Sequence, residues 1–428
     1  MANTTTAVLE ALKYTYGSPR VLYLFNEESV VFNILSRVKK PMGGRGQFIM
    51  PIMTQNPGAF SGIAEGGSLP TAVDADTAEA TFSLQEFVAV YTLTWKLIQD
   101  SRSDKFAFQQ AVTMLDEGLK RRVMRMLNTD LIDDGRGRLA VLTGADDGAG
   151  VITSAFLPRC EVGQVVDLND TDNDTQHAAD RTITAVDPIA RTIDVGAAVT
   201  GEAASDYLTL PNTVDVTSTQ NYHANGLLGV INSANPAATV VGNYGGIDRT
   251  AAGSEYWKAP VLSNSGTNHP LTEDLLLQAM DAVREKGGGM LTHWISNLAI
   301  VRRYHEMLAA ERYFSLSQPG AIGGGVGRKS MEGGGKSGDG KTPYEFSGVP
   351  WHVDPYFGNN VIIGLDANHF FLGVGENDVP RPISEIFENV PFFKQTTSAT
   401  FDVNWYYQME LLSDNPAAGV QIQDVSEA

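Results

Sequence analysis

The chain has 428 residues, 43% of them hydrophobic, and carries a formal net charge of −19 from 50 acidic and 31 basic residues. This length and composition fit a globular protein with two or three cores and exclude global disorder. The acidic balance argues against a dedicated nucleic-acid binder, and no apolar run is long enough to span a bilayer. The single cysteine, Cys160, excludes an intramolecular disulfide, and the polar N-terminus is not a secretory signal, so we expect synthesis in a cytoplasm.

A long loop with strand-like arms is the first predicted element, at residues 48–95. Its ascending arm runs from Gln47 to Met53, and its return arm runs from Ala80 to Trp95, where β-branched and aromatic residues favour a strand. Gly-Gly and Leu-Pro steps within residues 62–70 mark the tip. At about 3.3 Å per residue, a twenty-residue arm would project roughly 60 Å. Such an arm is typical of subunits that clasp their neighbours.

One long helix is predicted after the loop, capped by Ser103 or Asp104 and running without proline to Asp134. About thirty residues at 1.5 Å each give a rod of roughly 45 Å, which the glycines after Asp134 end. Apolar residues recur at every fourth position on one face: Ala111, Leu115, Leu119, Val123, Leu127 and Leu131. Without the preceding arm, this helix would fit the core of an α/β domain equally well.

Short strands separated by polar turns are predicted within residues 157–216. The strand-like runs are Gly163–Leu168, Thr182–Asp187, Thr192–Val195 and Tyr207–Leu210, which suggest a small β-barrel or β-sandwich. Extra strands of the parent domain are the alternative. A calcium loop beginning at Asp170 is disfavoured, because Thr175 and Arg181 stand where an EF-hand needs glycine and glutamate.

Both helices and strands are predicted in the rest of the chain. Thr272 predicts the cap of one helix, and Ser296 or Asn297 predicts the cap of a second. A strand is predicted between them at Leu291–Ile295, and later strands are predicted at Val349–Val353, Val361–Ile363, Phe370–Leu372 and Ser398–Leu411.

The segment Gly335–Thr342 matches the P-loop pattern of nucleotide-binding proteins. A working P-loop follows a buried strand and precedes a helix, whereas here a glycine-rich stretch lies upstream and Pro343 follows at once. A flexible loop is therefore the favoured interpretation, and a nucleotide-binding enzyme is the alternative. No other catalytic motif is present, so we expect neither an enzyme nor a cofactor or metal site.

Taken in order, these segments resemble the major capsid proteins of tailed bacteriophages, which have the Hong Kong 97 fold. The matching pieces are Ala64–Gly67 at the loop tip, Leu97–Ser101 before the helix, the Leu142–Gly148 loop after it and Gly226–Ile231 further on. The resemblance implies an α+β, Hong Kong 97-like capsid fold with an inserted small β-domain. The implied parts are an N-terminal arm (1–47), an extended two-stranded loop (48–95), a peripheral domain with a spine helix (96–156), the inserted β-domain (157–216), a linking segment and axial domain (217–394), and a return strand with the C-terminus (395–428).

The resemblance also implies a function. Copies of the chain would form hexamers and pentamers of the icosahedral head shell, which encloses double-stranded DNA without sequence-specific binding. The protein would belong to the virion, after assembly in the host cytoplasm and without a membrane. Its partners would be a portal protein and a separate scaffolding protein, because only about forty residues precede the loop, with room for a decoration protein. Another virion structural protein is a further alternative.

The charges and apolar residues of the loop predict how neighbouring subunits would meet. Residues 48–92 contain no lysine or arginine, so the lysine–asparagine cross-link of the family's founding member is not expected. We expect apolar adhesion from Phe48, Ile52 and Phe60. The acidic residues of the loop would set the register of the contact. These are Glu65, Asp74, Asp76, Glu79 and Glu86, and their bed would be Arg121, Arg122 and Arg125 of a neighbour, or Lys39, Lys40 and Arg45.

Overall fold

The structure is a computed structural model, and its described residues are 30–39, 47–55, 57–63, 65, 67–72, 74–95, 105–144, 146–170, 176–211, 214–215, 220–221, 223–236, 243–287, 289–315, 344–375, 381–382, 393–394 and 400–427. The described helices are α1 (Val30–Ile34), α2 (Lys105–Ile132), α3 (Leu227–Val230), α4 (Glu273–Gly287) and α5 (Leu298–Ser315). The described strands are β1 (Ser36–Lys39), β2 (Gln47–Gln55), β3 (Asp76–Ser83), β4 (Gln85–Thr94), β5 (Arg138–Gly144), β6 (Val151–Ser154), β7 (Val165–Asn169), β8 (Gln176–Thr182), β9 (Ala185–Asp187), β10 (Thr192–Asp194), β11 (Tyr207–Thr209), β12 (Val214–Asp215), β13 (Gln220–Asn221), β14 (Val261–Leu262), β15 (His293–Ser296), β16 (Tyr344–Phe346), β17 (Val349–Val353), β18 (Ile362–Leu365), β19 (Phe370–Val374), β20 (Arg381–Pro382), β21 (Phe393–Lys394), β22 (Thr400–Ser413) and β23 (Gly419–Ile422).

The predicted extended loop is an antiparallel hairpin of β2 and β3. Phe48 lies opposite Phe82 near its base, and Gln55 lies opposite Asp76 at the far end of the pairing. The nine residues of β2 span about 30 Å. Pro51 has no N–H to donate, and it is tolerated because β2 pairs with β3 alone in the described part of the chain.

The predicted return arm divides in two at Leu84. Its first part belongs to the hairpin, whereas β4 enters the body of the subunit and pairs with β22 over its whole length. The projecting loop therefore ends at Ser83 and not at residue 95. The sequence hides this division, because β-branched and aromatic residues favour a strand on both sides of Leu84.

The predicted spine helix is confirmed as α2, with 28 residues and a length of about 42 Å. Leu127 and Leu131 are buried in the largest hydrophobic core, and Leu115 and Leu119 pack on the sheet that contains β4 and β22. The fourfold spacing of apolar residues thus matches the buried face. Ile132 is its last residue, slightly before the predicted end, and the predicted caps lie outside the described residues.

A six-stranded sheet beside α2 is centred on β22. The strand β4 lies along one side of β22, and β19, β20 and β21 pair with its other side. The remaining strand, β1, runs parallel to β19. The return strand predicted at Ser398–Leu411 is therefore present as β22, next to the spine helix as expected. The Trp405 indole donates a hydrogen bond to Asp116 Oδ1 of α2 at 3.1 Å, which ties the sheet to the helix.

The inserted β-domain is a seven-stranded sheet in the order β8-β7-β11-β5-β6-β10-β9, with its own hydrophobic core. It begins at Arg138, earlier than the predicted boundary at residue 157, because β5 and β6 belong to this sheet and not to the peripheral domain. The run predicted at Thr182–Asp187 is interrupted by Ile183 and Thr184, and its two parts fall in β8 and β9. Gly150 approaches the backbone of Ala197 so closely that a Cβ would lie 2.7 Å from the Ala197 carbonyl oxygen.

The remaining large unit, the two-helix domain, packs α4 and α5 on one face of the sheet β14-β23-β18-β15-β17-β16. The Thr272 hydroxyl accepts a hydrogen bond from the Leu275 N–H at 3.2 Å, which matches the predicted cap. Asn297, one of the two predicted alternatives, caps α5 by accepting from the Ile300 N–H at 3.0 Å. Trp294 and Trp351 form the centre of this core.

Candidate assembly surface

The β2–β3 hairpin turns one face to its own subunit and leaves the other exposed. On the inner face, Phe82 is buried, and its ring centroid lies 5.0 Å from that of Tyr244. Ile49 and Met53 lie on the outer face and are 54% and 58% exposed. Because successive side chains of a strand point to opposite faces, the outer face of the hairpin carries these exposed apolar side chains among the polar residues of β3.

Two of the predicted adhesive residues lie on the inner face and require a correction. Phe48 is buried in the largest core, and Ile52 packs against the same core. Ile49 and Met53 take their place on the outer face, since a change of one residue moves every side chain of a strand to the opposite side. The third predicted residue, Phe60, is fully exposed.

The projecting tip is also rich in open apolar side chains. Ile63 is 51% exposed and Leu69 is 80% exposed, and both belong to the same connection between β2 and β3 as the fully exposed Phe60. A contiguous exposed apolar group often marks an interaction site, so the tip is a candidate contact region. Ala64 and Gly66, which belong to the predicted tip motif, lie outside the described residues.

The acidic residues of the loop divide between its surface and the body of the subunit. Glu65, Asp74, Asp76 and Glu79 are exposed on the loop. Glu86 lies instead on β4, where its Oε1 accepts hydrogen bonds from the Tyr406 hydroxyl and Gln408 Nε2, each at 2.8 Å. All charged residues of the exposed loop are therefore acidic, and the loop also carries exposed apolar side chains.

One of the three arginines predicted to form a basic contact surface on α2 is not accessible to a neighbour. Arg122 is exposed and Arg121 is half-buried, whereas Arg125 is buried and forms an ion pair with Glu161 of the β-domain. Burial lowers the pKa of Arg125 to about 10, even though Tyr356 acts in the opposite direction. Arg125 therefore joins the spine helix to its own β-domain and is not available to a neighbour.

The other predicted bed lies only partly within the described chain. Lys39 is exposed at the end of β1. Lys40 and Arg45 lie outside the described residues.

A buried polar junction fixes the end of α2, and we call the residues Asp130, Asp133, His223–Gly226 and Glu410 the spine-end junction. His223 Nδ1 lies 2.8 Å from Asp130 Oδ1, and the Ala224 N–H donates to Asp130 Oδ2 at 3.1 Å. The Asn225 side chain donates to Glu410 Oε1 at 2.9 Å. One short segment thus joins the spine helix to the central strand β22.

Gly226 is required by the close approach of this segment to the helix end. A Cβ at this position would lie 2.2 Å from the Asp133 carbonyl oxygen and 2.4 Å from that of Asp130. No side chain fits in this space, so the glycine has a packing role. The segment Gly226–Ile231, which carries part of the family resemblance, therefore begins with a position that only glycine can occupy.

Asp133 connects the junction to the β-domain. The Arg138 Nη2 group donates to its Oδ1 at 3.0 Å, and Arg159 Nη1 lies 3.7 Å from the same oxygen. Burial by itself raises the pKa of Asp133, but the two guanidinium groups outweigh burial and lower it. Arg159 Nε also donates to the Tyr356 carbonyl at 2.8 Å, so the charges fix several elements to the helix end.

Two junction groups hold their protons more strongly than usual. Burial raises the pKa of Glu410 to about 8, against the lowering effect of the Asn225 hydrogen bonds. Burial lowers the pKa of His223, but Asp130 more than compensates, so the net pKa is raised. Both shifts favour the protonated forms near neutral pH.

The described residues contain no group of three or more metal-binding side chains. Asp172 and Asp174 of the disfavoured calcium loop, and the whole P-loop-like segment Gly335–Thr342, lie outside the described residues. None of the described helices combines the length and apolarity that a membrane crossing requires.

Sequence reasoning missed Ile49 and Met53, although a signal was present in the partner strand. In β3 the residues opposite them are Thr81 and Thr77, which are polar, whereas Phe82 lies opposite Phe48. The outer face is therefore evident from β3 once the pairing register is known. The Glu410–Asn225 contact had no such signal, because the two residues are 185 positions apart.

No family model and no curated protein matches the sequence. Among solved structures, the chain is similar to a subunit of the cyanophage A-1(L) capsid asymmetric unit, with a TM-score of 0.53 and 11% identity over 95% of this chain and 96% of that one. It is also similar to the capsid of a native GTA particle, with a TM-score of 0.49 and 10% identity over 96% and 94% of the two chains. The SrpI encapsulin of Synechococcus elongatus PCC 7942 gives a TM-score of 0.44 and 8% identity over 97% and 96%.

The cyanophage likeness covers nearly the whole of both chains. The predicted fold class is therefore confirmed: the chain has an α+β, Hong Kong 97-like capsid fold with an inserted β-domain.

Proposed function

We propose that this chain is a structural subunit that self-assembles into the icosahedral head shell of a tailed bacteriophage and encloses its double-stranded DNA. The observation that carries the proposal is the exposure of Ile49 and Met53 on the outer face of the hairpin and of Phe60 at its tip. The likeness to a cyanophage capsid subunit supports it.

Adhesion between copies comes mainly from apolar contact. Burial of apolar surface contributes about 25 cal/mol per Å². A neighbouring copy that covers Ile49, Met53 and Phe60 therefore gains free energy of association. The exposed acidic residues of the loop then set the register against basic residues such as Arg121 and Arg122 of the neighbour, because exposed ion pairs contribute only about 0–1 kcal/mol each. The loop offers no amine, so the contacts are non-covalent.

Further partners follow from the same proposal. A shell of this kind needs a portal protein at one vertex and a separate scaffolding protein during assembly in the host cytoplasm, and it accommodates a decoration protein. The packaged DNA is enclosed without sequence-specific contacts, in keeping with the net charge of −19. The mature location of the protein is the virion.

Electron microscopy of purified protein tests the proposal, with shells or capsomers as the expected result. In the double variant Ile49→Asp, Met53→Asp, carboxylates on the outer face oppose burial, and we expect the yield of shells to fall by about tenfold or more. Detergent-boiled particles should run as single subunits on a gel.

The matched control is Ile189→Asp, which changes an isoleucine that is 94% exposed on the β-domain and leaves the hairpin intact. Full assembly of the hairpin variant, or an absence of particles from the unaltered protein together with its scaffold, contradicts the proposal. A ladder of covalent multimers contradicts the non-covalent contact alone.

A further inference from the structure

Among the described strands, β4 forms one edge of the six-stranded sheet that is centred on β22. It pairs with β22 through ten consecutive positions, from Gln85 opposite Met409 to Thr94 opposite Thr400, without a shift of register. Within the described residues, no strand pairs with its other side. Among the described residues, the register of β4 is therefore regular, and its edge from Gln85 to Leu93 is open.

The residues of β4 itself have none of the features that usually block strand addition. Natural proteins protect long edges with lysine, proline, bulges or inward-pointing charges. The only charged residue of β4 is Glu86, and its carboxylate is held by Tyr406 and Gln408 of the adjacent strand. Val88 is 59% exposed and Val90 is 50% exposed on the face that points away from α2. An unprotected apolar edge of this length is suited to accept another strand.

The sequence of β4 identifies that strand. Residues 87–91 are Phe, Val, Ala, Val and Tyr. Read in either direction, this order is aromatic, valine, alanine, valine, aromatic. A second copy related by a twofold axis at Ala89 runs antiparallel to the first. Val88 then lies opposite Val90 of the partner subunit, and Phe87 lies opposite the partner's Tyr91.

The faces and charges agree with this register. Val88 and Val90 stay on the exposed face in both copies, while Phe87, Ala89 and Tyr91 stay on the side of α2, as the pleat requires. Glu86 lies opposite Thr92 of the partner subunit, so no like charges meet. Aromatic pairs and pairs of β-branched residues are among the favourable cross-strand neighbours.

We propose that two copies of this chain join through their β4 edges in an antiparallel, twofold contact centred on Ala89, which makes one continuous sheet across both copies. The contact extends the proposed function, because it gives the self-assembling subunit a second interface that differs from the hairpin. It is isologous, whereas the hairpin contact joins two different surfaces.

Cysteine cross-linking of the full chain tests the contact directly. In the Ala89→Cys variant, the two Cβ atoms would lie about 5 Å apart, close to the separation that a disulfide needs. Mild oxidation should convert most of the protein to a covalent dimer that reductant reverses. The native Cys160 is buried and should give no dimer in the unaltered protein. The Ile189→Cys variant is the control for random collisions, since Ile189 is 94% exposed.

A charge exchange tests the register. In the Ala89→Cys background, Val88→Glu or Val90→Lys alone should lower the dimer yield by about tenfold, because each places an unpaired charge in the contact. The two changes together put each glutamate opposite a lysine of the partner subunit and should restore most of the yield. Both positions are exposed, so circular dichroism should show an unchanged fold.

The outcomes separate this inference from the proposed function. Shells that assemble without an Ala89→Cys dimer, or single charges that leave the yield unchanged, overturn the β4 contact and leave the proposed function intact. A covalent dimer without shells supports the contact and counts against the proposed function.

Discussion

The β2–β3 hairpin and the spine-end junction differ in the kind of side chain that they expose or bury. The hairpin exposes Ile49 and Met53 to solvent, whereas the junction buries Asp130, His223 and Glu410. Exposed apolar groups gain stability when a partner covers them, while buried polar groups are stabilised by hydrogen bonds within the subunit. The difference fits a spine end that is complete within one copy and the proposed hairpin contact with another copy.

The largest loss of stability is expected from a substitution at Gly226 in the spine-end junction. In Gly226→Ala, the new methyl group would collide with the Asp133 and Asp130 carbonyls, so the segment must leave the helix end. We expect a loss of about 3 kcal/mol or more in the free energy of unfolding, or failure to fold, measured by urea denaturation.

Gly118→Ala is the matched control for Gly226→Ala. Gly118 lies within α2 with open space around its Cβ position, so alanine should stabilise the protein by about 0.5–1 kcal/mol. If Gly226→Ala proved as stable as the wild type, the segment would not be packed against the helix end.

Two arginines of α2 allow the effects of a buried and an exposed charge on stability to be compared within one helix. Arg125→Ala leaves Glu161 without its buried partner, and we expect a loss of about 3–5 kcal/mol in unfolding free energy. Arg122→Glu changes an exposed group, so the free energy of unfolding should stay within about 0.5 kcal/mol while shell assembly weakens. Equal stability losses in the two variants, measured by denaturant unfolding, would contradict the distinction.

The junction should also lose stability as the pH rises. The carboxyl of Glu410 has a raised pKa of about 8 against an ordinary value of 4.5, so its stabilising contribution is complete below pH 4.5 and is lost as the pH rises to 8. His223 acts in the same direction, since its raised pKa makes its contribution fall above pH 6.5.

Thermal unfolding measures this effect. The Tm of the wild type should fall by several degrees between about pH 6 and pH 9, and Glu410→Gln should remove a large part of that fall. Glu255→Gln is the control, because this carboxylate is exposed and Lys258 holds its pKa below the usual value. An identical pH dependence in the wild type and Glu410→Gln would show that the Glu410 carboxyl does not hold its proton in the folded subunit.

Local patterns in the sequence predicted much of this fold, and long-range contacts account for what was missed. The stripe from Leu115 to Leu131 predicted the buried face of α2, because helix periodicity depends only on neighbouring residues. The division of the return arm at Leu84 depends on pairing between β4 and β22, which lie more than 300 positions apart. Arg125 was assigned to the surface because its partner Glu161 belongs to a domain whose packing the helix sequence does not encode.

The two faces of β2 give the smallest expected difference and the most direct test of the hairpin. Ile52 packs against the core and Ile49 is 54% exposed, although both belong to the same strand. We expect Ile52→Ala to lower the unfolding free energy by about 1–2 kcal/mol, since the lost side chain is only half-buried, and Ile49→Ala to lower it by less than about 0.5 kcal/mol. In assembly the order should reverse, with Ile49→Ala reducing the yield of shells more than Ile52→Ala. Unfolding and electron microscopy on the same two variants therefore distinguish the face that packs on the subunit's own core from the face proposed to contact a neighbour.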